Sequence, residues 1–344
     1  VRVKRNCLWK WLVAAGFVAV SSSAFAADPE ALAKRLHDAA EMSSIDDPAL
    51  KPWHLKLDVQ LYDDQGNPSE KGTIEEWWTS EKDKRVYTMP SYATTEIRDG
   101  KTLYRSKGQI SAAYGLSAIR RLVVHPMATA EEIDHAKLKL HVQTFGKVKL
   151  DCIVLDQQIQ SISDAPIGLF PTYCLEHDGD RLRLRDRFGS EASALETFGT
   201  FQDRKVAVYA SIGVDGHKTI DGHVTVLESK TLEPSIFAVG DELAEVKTGL
   251  PADGAKVVAP KVIKSVEAHY PAGAAGQRRG GTVQIAVTVG TDGRVHNLRL
   301  VKSLDADLAW SAMDAVRSYI FNPAMSDGTP IETEVIIQVE FHIY

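Results

Sequence analysis

The chain has 344 residues, which at roughly 100 to 200 residues per domain suggests about two domains. Its 44% hydrophobic and 25% charged residues match globular proteins and exclude wholesale disorder, a polytopic membrane protein, collagen, coiled coils and disulfide knots. The formal charge is −6, and Arg2, Lys4, Arg5 and Lys10 leave −10 on the remainder, so nucleic acid is not expected as a partner.

Residues 1–26 read as a secretory signal: a basic stretch, the apolar run Leu8 to Val20, and small residues ending in Ala24-Phe25-Ala26, with cleavage before Ala27. Lys10 interrupts the run and leaves Trp11 to Val20, about half of the roughly 20 residues needed to span a bilayer. The expected location is therefore the periplasm, with an uncleaved inner-membrane anchor as the rival. Cys7 lies before the apolar run, not at a cleavage point, which argues against lipidation.

Residues 27–248 form the first expected domain. Pro29 to Met42 has helical spacing, with Asp28 placed to cap it. From Trp53 the period becomes two: Leu55, Leu57, Val59 and Leu61 alternate with His54, Lys56, Asp58 and Gln60. The pattern recurs through Thr73–Thr79, Arg85–Met89, Thr94–Arg98 and Thr102–Arg105, with Asp99-Gly100 as a hairpin turn. Two helical pieces between Ala113 and Asp134 are divided at His125-Pro126, because Pro does not continue a helix interior.

Further strands are predicted at Leu138–Gln143, Val148–Asp156, Thr172–Glu176, Arg181–Asp186, Lys205–Ser211 and Gly222–Leu227. Arg181, Arg183, Arg185 and Arg187 alternate with Leu182 and Leu184, which reads as the solvated face of a strand. Cys152 and Cys174 sit in two such strands, and an even count in an oxidising compartment favours a disulfide, with two buried thiols as the alternative.

Residues 249–260, within the aperiodic Lys247–Pro260, read as a linker. Residues 261–344 then form a second domain. Val283, Ile285, Val287 and Val289 alternate with polar or small neighbours, and Thr291-Asp292-Gly293 turns the chain into Arg294–Val301. Asp305 caps a helix carrying Leu308, Ala312 and Val316 on one face, which Asn322-Pro323 is expected to stop. A final strand alternates through Val335, Ile337, Val339 and Phe341. The fold class is α+β: a large antiparallel curved sheet, half-barrel-like, with helices, followed by a small β-β-α-β domain.

Six pieces in order carry a family pattern: Tyr270-Pro271, Ala274-Ala275, Gly280 to Val283, Val289 to Val295, Phe321 to Ala324, and Gly328 to Ile331 before a strand ending at Phe341. This region resembles the C-terminal domain of TonB-type energy transducers. The resemblance implies docking by strand addition on an outer-membrane TonB-dependent receptor or similar envelope protein. The partner-binding residues it implies are Thr333, Glu334, Val335, Ile336, Ile337, Gln338, Val339, Glu340 and Phe341 as docking edge. Ser265, Val266, Glu267, Ala268, His269, Tyr270 and Pro271 form the neighbouring contact segment. The chain departs from the family in two respects. The Leu8 to Ala26 segment lacks the His with which a working transducer engages its motor, and residues 28–250 carry scattered prolines in a folded pattern in place of a long Pro-rich spanner.

The middle region, Trp53 to Val239, more weakly resembles periplasmic lipoprotein carriers of the LolA and LolB type. That resemblance implies an acyl or lipid ligand, with Trp53, Trp77, Trp78, Tyr87, Tyr92 and Tyr104 as candidate lining residues. No nucleophile elbow, metalloprotease helix, P-loop or dinucleotide fingerprint occurs, so the expectation is a binding protein with no enzymatic activity, cofactor or metal. A lipid or lipoprotein carrier acting through the middle domain is the alternative to a docking module.

Overall fold

The computed structural model describes residues 28–63, 65–109, 112–145, 147–157, 169–188, 191–214, 216–246 and 256–342. The signal-like segment 1–26 and most of the expected linker lie outside the described residues. The chain divides into two compact units. One runs to Ile153 and takes in Tyr173–Arg185 and Glu191–Lys247, and the other comprises Val154–Thr172, Asp186–Ser190 and Thr248–Tyr344.

The strands before residue 246 are β1 (Trp53–Tyr62), β2 (Pro68–Trp78), β3 (Lys82–Thr88), β4 (Ala93–Asp99), β5 (Thr102–Ser106), β6 (Lys137–Phe145) and β7 (Val148–Asp156). They continue with β8 (Thr172–Glu176), β9 (Leu182–Phe188), β10 (Glu191–Phe201), β11 (Arg204–Val214), β12 (His217–Ser229) and β13 (Leu243–Glu245). They form one antiparallel sheet in the order β13-β5-β4-β3-β2-β1-β12-β11-β10-β9-β8-β7-β6. Two meanders, β1 to β5 and β6 to β12, are joined by the β1–β12 pair, and the sheet ends at β13 and β6 without closing into a barrel.

Helix α1, Pro29–Ser43, starts where Asp28 accepts a hydrogen bond from the Glu30 N–H, and it buries Leu32, Leu36 and Ala39. Helices α2 (Tyr114–Val124) and α3 (Ala130–His135) are separated at His125-Pro126, and Thr129 and Glu132 form a capping box at the start of α3. Strand β1 turns Trp53, Leu55, Leu57 and Val59 into the core. Helix α2 lies directly on the backbone of β12: a Cβ at Gly222 would come within 2.8 Å of Ile119 and 3.2 Å of Leu57, so only glycine fits there.

Two expectations need correction. Strand β10 (EASALETFGTF) was not anticipated, because its first six residues are helix formers or small residues, and pairing within the sheet, between β9 and β11, makes them extended. The arginine face of β9 is solvated only in part. Leu182 and Leu184 are buried and Arg181 is exposed, as the alternation predicts, but Arg185 is buried, Arg183 is half-buried and ion-paired with Glu176 at 2.8 Å, and the guanidinium groups of Arg181 and Arg183 lie over the Phe198 ring.

The second unit contains β14 (Val257–Val258), β15 (Lys261–Lys264), α4 (Ala272–Gly276), β16 (Gly281–Val289) and β17 (Val295–Lys302). They are followed by α5 (Ala306–Arg317), β18 (Ile320–Asn322), β19 (Ala324–Ser326), β20 (Thr329–Ile331) and β21 (Thr333–Phe341). Its main sheet has the order β17-β16-β21, with α5 packed on it through Leu308, Ala309, Ala312, Met313 and Val316. Asp305 caps α5 by accepting from the N–H groups of Asp307 and Leu308. The helix ends at Arg317, earlier than Asn322-Pro323 suggested, because Ile320–Asn322 pairs with β15. Gly293 is needed twice over. Its φ of 72° serves the hairpin turn, and a Cβ there would collide with the Phe321 carbonyl.

Charge is buried in the first unit in a way that alternation alone does not reveal. Cross-strand register places Glu76, Arg85, Glu96 and Arg105 in one row across β2 to β5, a ladder of alternating sign. Glu96 accepts from Arg105 at 2.8 Å, Asp83 is ion-paired with Arg85 and Arg98, and Arg120 of α2 grips both oxygens of the fully buried Glu76. Burial pushes the Glu76 carboxyl up, but Arg120 and Arg85 outweigh it and hold the group below its ordinary 4.5. Its stabilisation is therefore complete above pH 4.5 and lost as the pH falls through the lower folded value. Arg120→Ala leaves Glu76 buried without its main partner and is expected to cost about 3–5 kcal/mol in urea unfolding at neutral pH, with the deficit shrinking as Glu76 becomes protonated.

Candidate functional site

The last strand supplies the most distinctive surface. Strand β21 pairs with β16 from Gly281 opposite Phe341 to Val289 opposite Thr333, and it is the outermost strand of its sheet among the described residues. Its two faces differ. Val339 and Phe341 are buried, Thr333, Val335 and Ile337 are half-buried, and Glu334, Ile336, Gln338 and Glu340 are exposed. This period of two follows from covering one face with α5, and it leaves alternate backbone N–H and C=O groups directed away from β16. Such an edge has no partner within its own sheet and is a template for another extended chain.

The segment Ser265–Pro271 is irregular, and it is tied to the C-terminal end of β21 by one residue. The Tyr270 ring meets Phe341 edge-on, with centroids 5.5 Å apart, and its hydroxyl donates to the Arg279 carbonyl at 2.7 Å. The His269 carbonyl accepts from the Ser311 hydroxyl. Ala268 packs with Tyr270 against the core, whereas Ser265, Val266, Glu267 and His269 are exposed, and Pro271 precedes α4. The two stretches singled out in the sequence thus meet at Tyr270 and Phe341.

In the first unit Cys152 and Cys174 form a disulfide between the neighbouring strands β7 and β8. Arg35 of α1 ties down the turn after β8. It reaches Asp151 at 2.6 Å and Asp180 at 2.9 Å, and donates to the Glu176 and Gly179 carbonyls. His177 pairs with Asp151 at 2.7 Å rather than with its chain neighbour Asp178.

The six aromatics do not gather in one place. Trp53 and Trp78 are buried and stacked 5.4 Å apart, with the Trp53 Nε1–H donating to the Ile45 carbonyl at 2.7 Å, and Tyr87 is buried further along the sheet, opposite Ile74. Trp77, next in chain to Trp78, takes the opposite face and stacks on His54, which also bonds Glu75 at 2.7 Å. Tyr92 and Tyr104 are half-buried, and burial raises the Tyr92 hydroxyl to about 12.

An open cleft of about 320 Å³ lies elsewhere, between the end of α1 and strands β9 to β11. Its apolar lining includes Met42, Leu182, Leu195 and Phe198, and its charged lining includes Arg181 and Lys205 with Glu176, Asp178 and Asp180. None of the six aromatics lines it. Met42 and Phe198 carry no sequence signal that marks them, since the cleft they line forms only where the end of α1, which packs on β11, comes beside the sheet.

Comparison with known proteins gives two independent likenesses. Three solved structures resemble the chain. A LolA superfamily protein from Nitrosomonas europaea has a TM-score of 0.40 at 11% identity, over 60% of this chain and 97% of that one. An outer membrane lipoprotein-sorting protein domain from Vibrio parahaemolyticus has a TM-score of 0.37 at 11% identity, over 61% of this chain and 97% of that one. A DUF1329 family protein from Desulfovibrio piger has a TM-score of 0.40 at 7% identity, over 62% of this chain and 98% of that one. No curated protein matches the chain in sequence. Among the described residues no helix is long and apolar enough to cross a membrane. Residues 266–343, which hold α4, α5 and β16 to β21, match the family described as the Gram-negative bacterial TonB protein C-terminal domain.

Proposed function

We propose that the second unit is a periplasmic docking module, which takes up an extended segment of an outer-membrane receptor or similar envelope partner as a fourth strand along β21. The reading is one of binding, not catalysis, in the service of transport across the envelope. The observation that carries it is the edge itself: nine residues of β21 paired, among the described residues, on one side only. Main-chain hydrogen bonds would supply much of the affinity, and alternate side chains the specificity. Tyr270 and Pro271 would meet the incoming segment where it passes Phe341. Location in the periplasm, after removal of residues 1–26, belongs to the same proposal.

Strand addition is tested by backbone chemistry. The full chain is titrated with an extended receptor peptide and with versions N-methylated at alternate residues. One methylated register should bind at least about tenfold more weakly, since each lost hydrogen bond costs about 0.5–1.5 kcal/mol, and the other should bind like the parent. Equal binding by both registers would remove strand addition as the mode.

The cleft supports a second reading, a lipid or lipoprotein carrier acting through the first unit. Met42, Leu195 and Phe198 offer an apolar lining, on which the reading rests, and Arg181 and Lys205 line the same cleft beside Glu176, Asp178 and Asp180. A fluorescent fatty-acyl probe should bind the wild-type chain and bind Met42→Ala or Phe198→Ala about tenfold more weakly, the scale set by burying one large side chain. A wild-type chain that takes up no acyl probe ends this reading.

A further inference from the structure

Strands β14 and β15 lie end to end along one stretch of the second unit. Val257 and Val258 pair with Ser326 and Met325, and Lys261, Val262 and Lys264 with Asn322, Phe321 and Ile320, so residues 257–264 run antiparallel to residues 320–326. The other edge of this ribbon is unpaired among the described residues. Every residue from Lys256 to Glu267 except Pro260 is exposed. Ten large hydrophobic residues are exposed among the described residues, and five of them, Val257, Val258, Val262, Ile263 and Val266, fall here. A concentration of that kind marks a contact surface, where singly scattered apolar residues would not. Ile263 is passed over by the register of β15 with β18, and at 59% it is the most exposed of the five.

The charge on the ribbon has one sign. Between residues 256 and 266 the charged side chains are Lys256, Lys261 and Lys264, all exposed, and the paired stretch 320–326 carries none. Among the described residues the acids adjoining it in the chain or by hydrogen bond stand at its two ends: Asp327, which accepts from the Lys256 N–H at 3.0 Å, and Glu267. Strand β21 carries the opposite sign, with Glu334 and Glu340 and no base. Interfaces between proteins concentrate their energy in aromatic and arginine side chains and are poor in lysine, and the ribbon has neither an aromatic residue nor an arginine. Its composition suits a fluid anionic surface instead. There the apolar side chains enter the boundary of the acyl chains, while lysine stems lie alongside them and leave their ammonium groups among the phosphates.

We propose that residues 256–266 dock the chain on an anionic phospholipid surface, with Val262 and Ile263 entering the headgroup boundary and Lys256, Lys261 and Lys264 meeting the phosphates. Each lysine near such a surface is worth about a fivefold gain in affinity, so three of them with a few partly inserted aliphatic side chains give reversible, salt-sensitive association, well short of an anchor. The inference uses no feature of the β21 edge and stands apart from the docking reading. Its consequence for that reading is local concentration. The ribbon leads directly into Tyr270-Pro271, so a chain resting on a membrane holds its docking segment near a partner embedded there.

The test is cosedimentation with vesicles of the chain from Ala27 onward, which keeps every described residue and removes the basic and apolar residues 1–26. Vesicles are of phosphatidylcholine alone or with about one-third phosphatidylglycerol. The wild type should bind the neutral vesicles at least about tenfold more weakly than the anionic ones. That preference should vanish between about 0.1 M and about 1 M salt, where the screening length falls from about 10 Å to about 3 Å. Lys261→Glu with Lys264→Glu, and separately Val262→Ser with Ile263→Ser, should each weaken binding at least about tenfold. All four side chains are exposed, so both variants should unfold thermally like the wild type and still bind receptor peptide in solution, which separates failure of this inference from failure of docking. Ile263→Trp should add fluorescence that lipids brominated on the upper acyl chain quench. A wild type indifferent to anionic vesicles, or binding that survives either double substitution, would overturn the proposal. So would an unquenched Trp at position 263 in a chain that still binds, which would mark attraction by charge without insertion.

Discussion

A strand has two hydrogen-bonding edges, and the proposed function turns on one that is left unpaired among the described residues. In the large sheet the pairing of β1 with β12 joins two meanders into one surface, so its interior strands have both edges satisfied. In the second unit the three-stranded sheet ends at β21. Its core face is fixed by α5, its outer face carries glutamates, and its far edge is left to the solvent or to another chain. The docking proposal follows from this single constraint on backbone hydrogen bonding.

The two units solve the problem of charge differently. In the first, charges are drawn inward: Glu76 and Asp83 are buried, and the arginines of neighbouring strands and of α2 neutralise them in place. Such a network stabilises little relative to a well-packed apolar core, but removing one partner is costly, so it fixes the position of α2 on the sheet. In the second unit the charges that matter stand on the surface and are segregated by sign along two strands. A buried ladder suits a scaffold, whereas exposed, segregated charge suits recognition and the rate of encounter.

Much of the architecture was legible in the sequence where one face of an element is covered and the other is not. Strand β7 has the predicted bounds Val148–Asp156, Asp28 and Asp305 cap the helices they were expected to cap, and Val335 to Phe341 alternates as its period required. The signal fails where pairing overrides composition, as at β10, or where register decides the partner, as with Glu76, Arg85, Glu96 and Arg105 at separations of nine to eleven residues. The residues proposed for docking were legible as a strand, yet the openness of its edge could not be read from periodicity, because strand order is a property of the whole sheet. The cleft at Met42 and Phe198 was hidden for the same reason: it exists only once α1 has packed on β11 of the assembled sheet.

Hydrogen exchange along β21, with and without a receptor segment bound to the full chain, tests the central claim most directly. In the free chain, amides of Thr333 to Phe341 should alternate between slow exchange, where they face β16, and fast exchange, where they face the open edge. On binding, the fast set should become protected while the slow set barely changes. Protection that appears elsewhere on the chain, with the fast set left exchanging, would show that the partner binds but that β21 is not its docking edge.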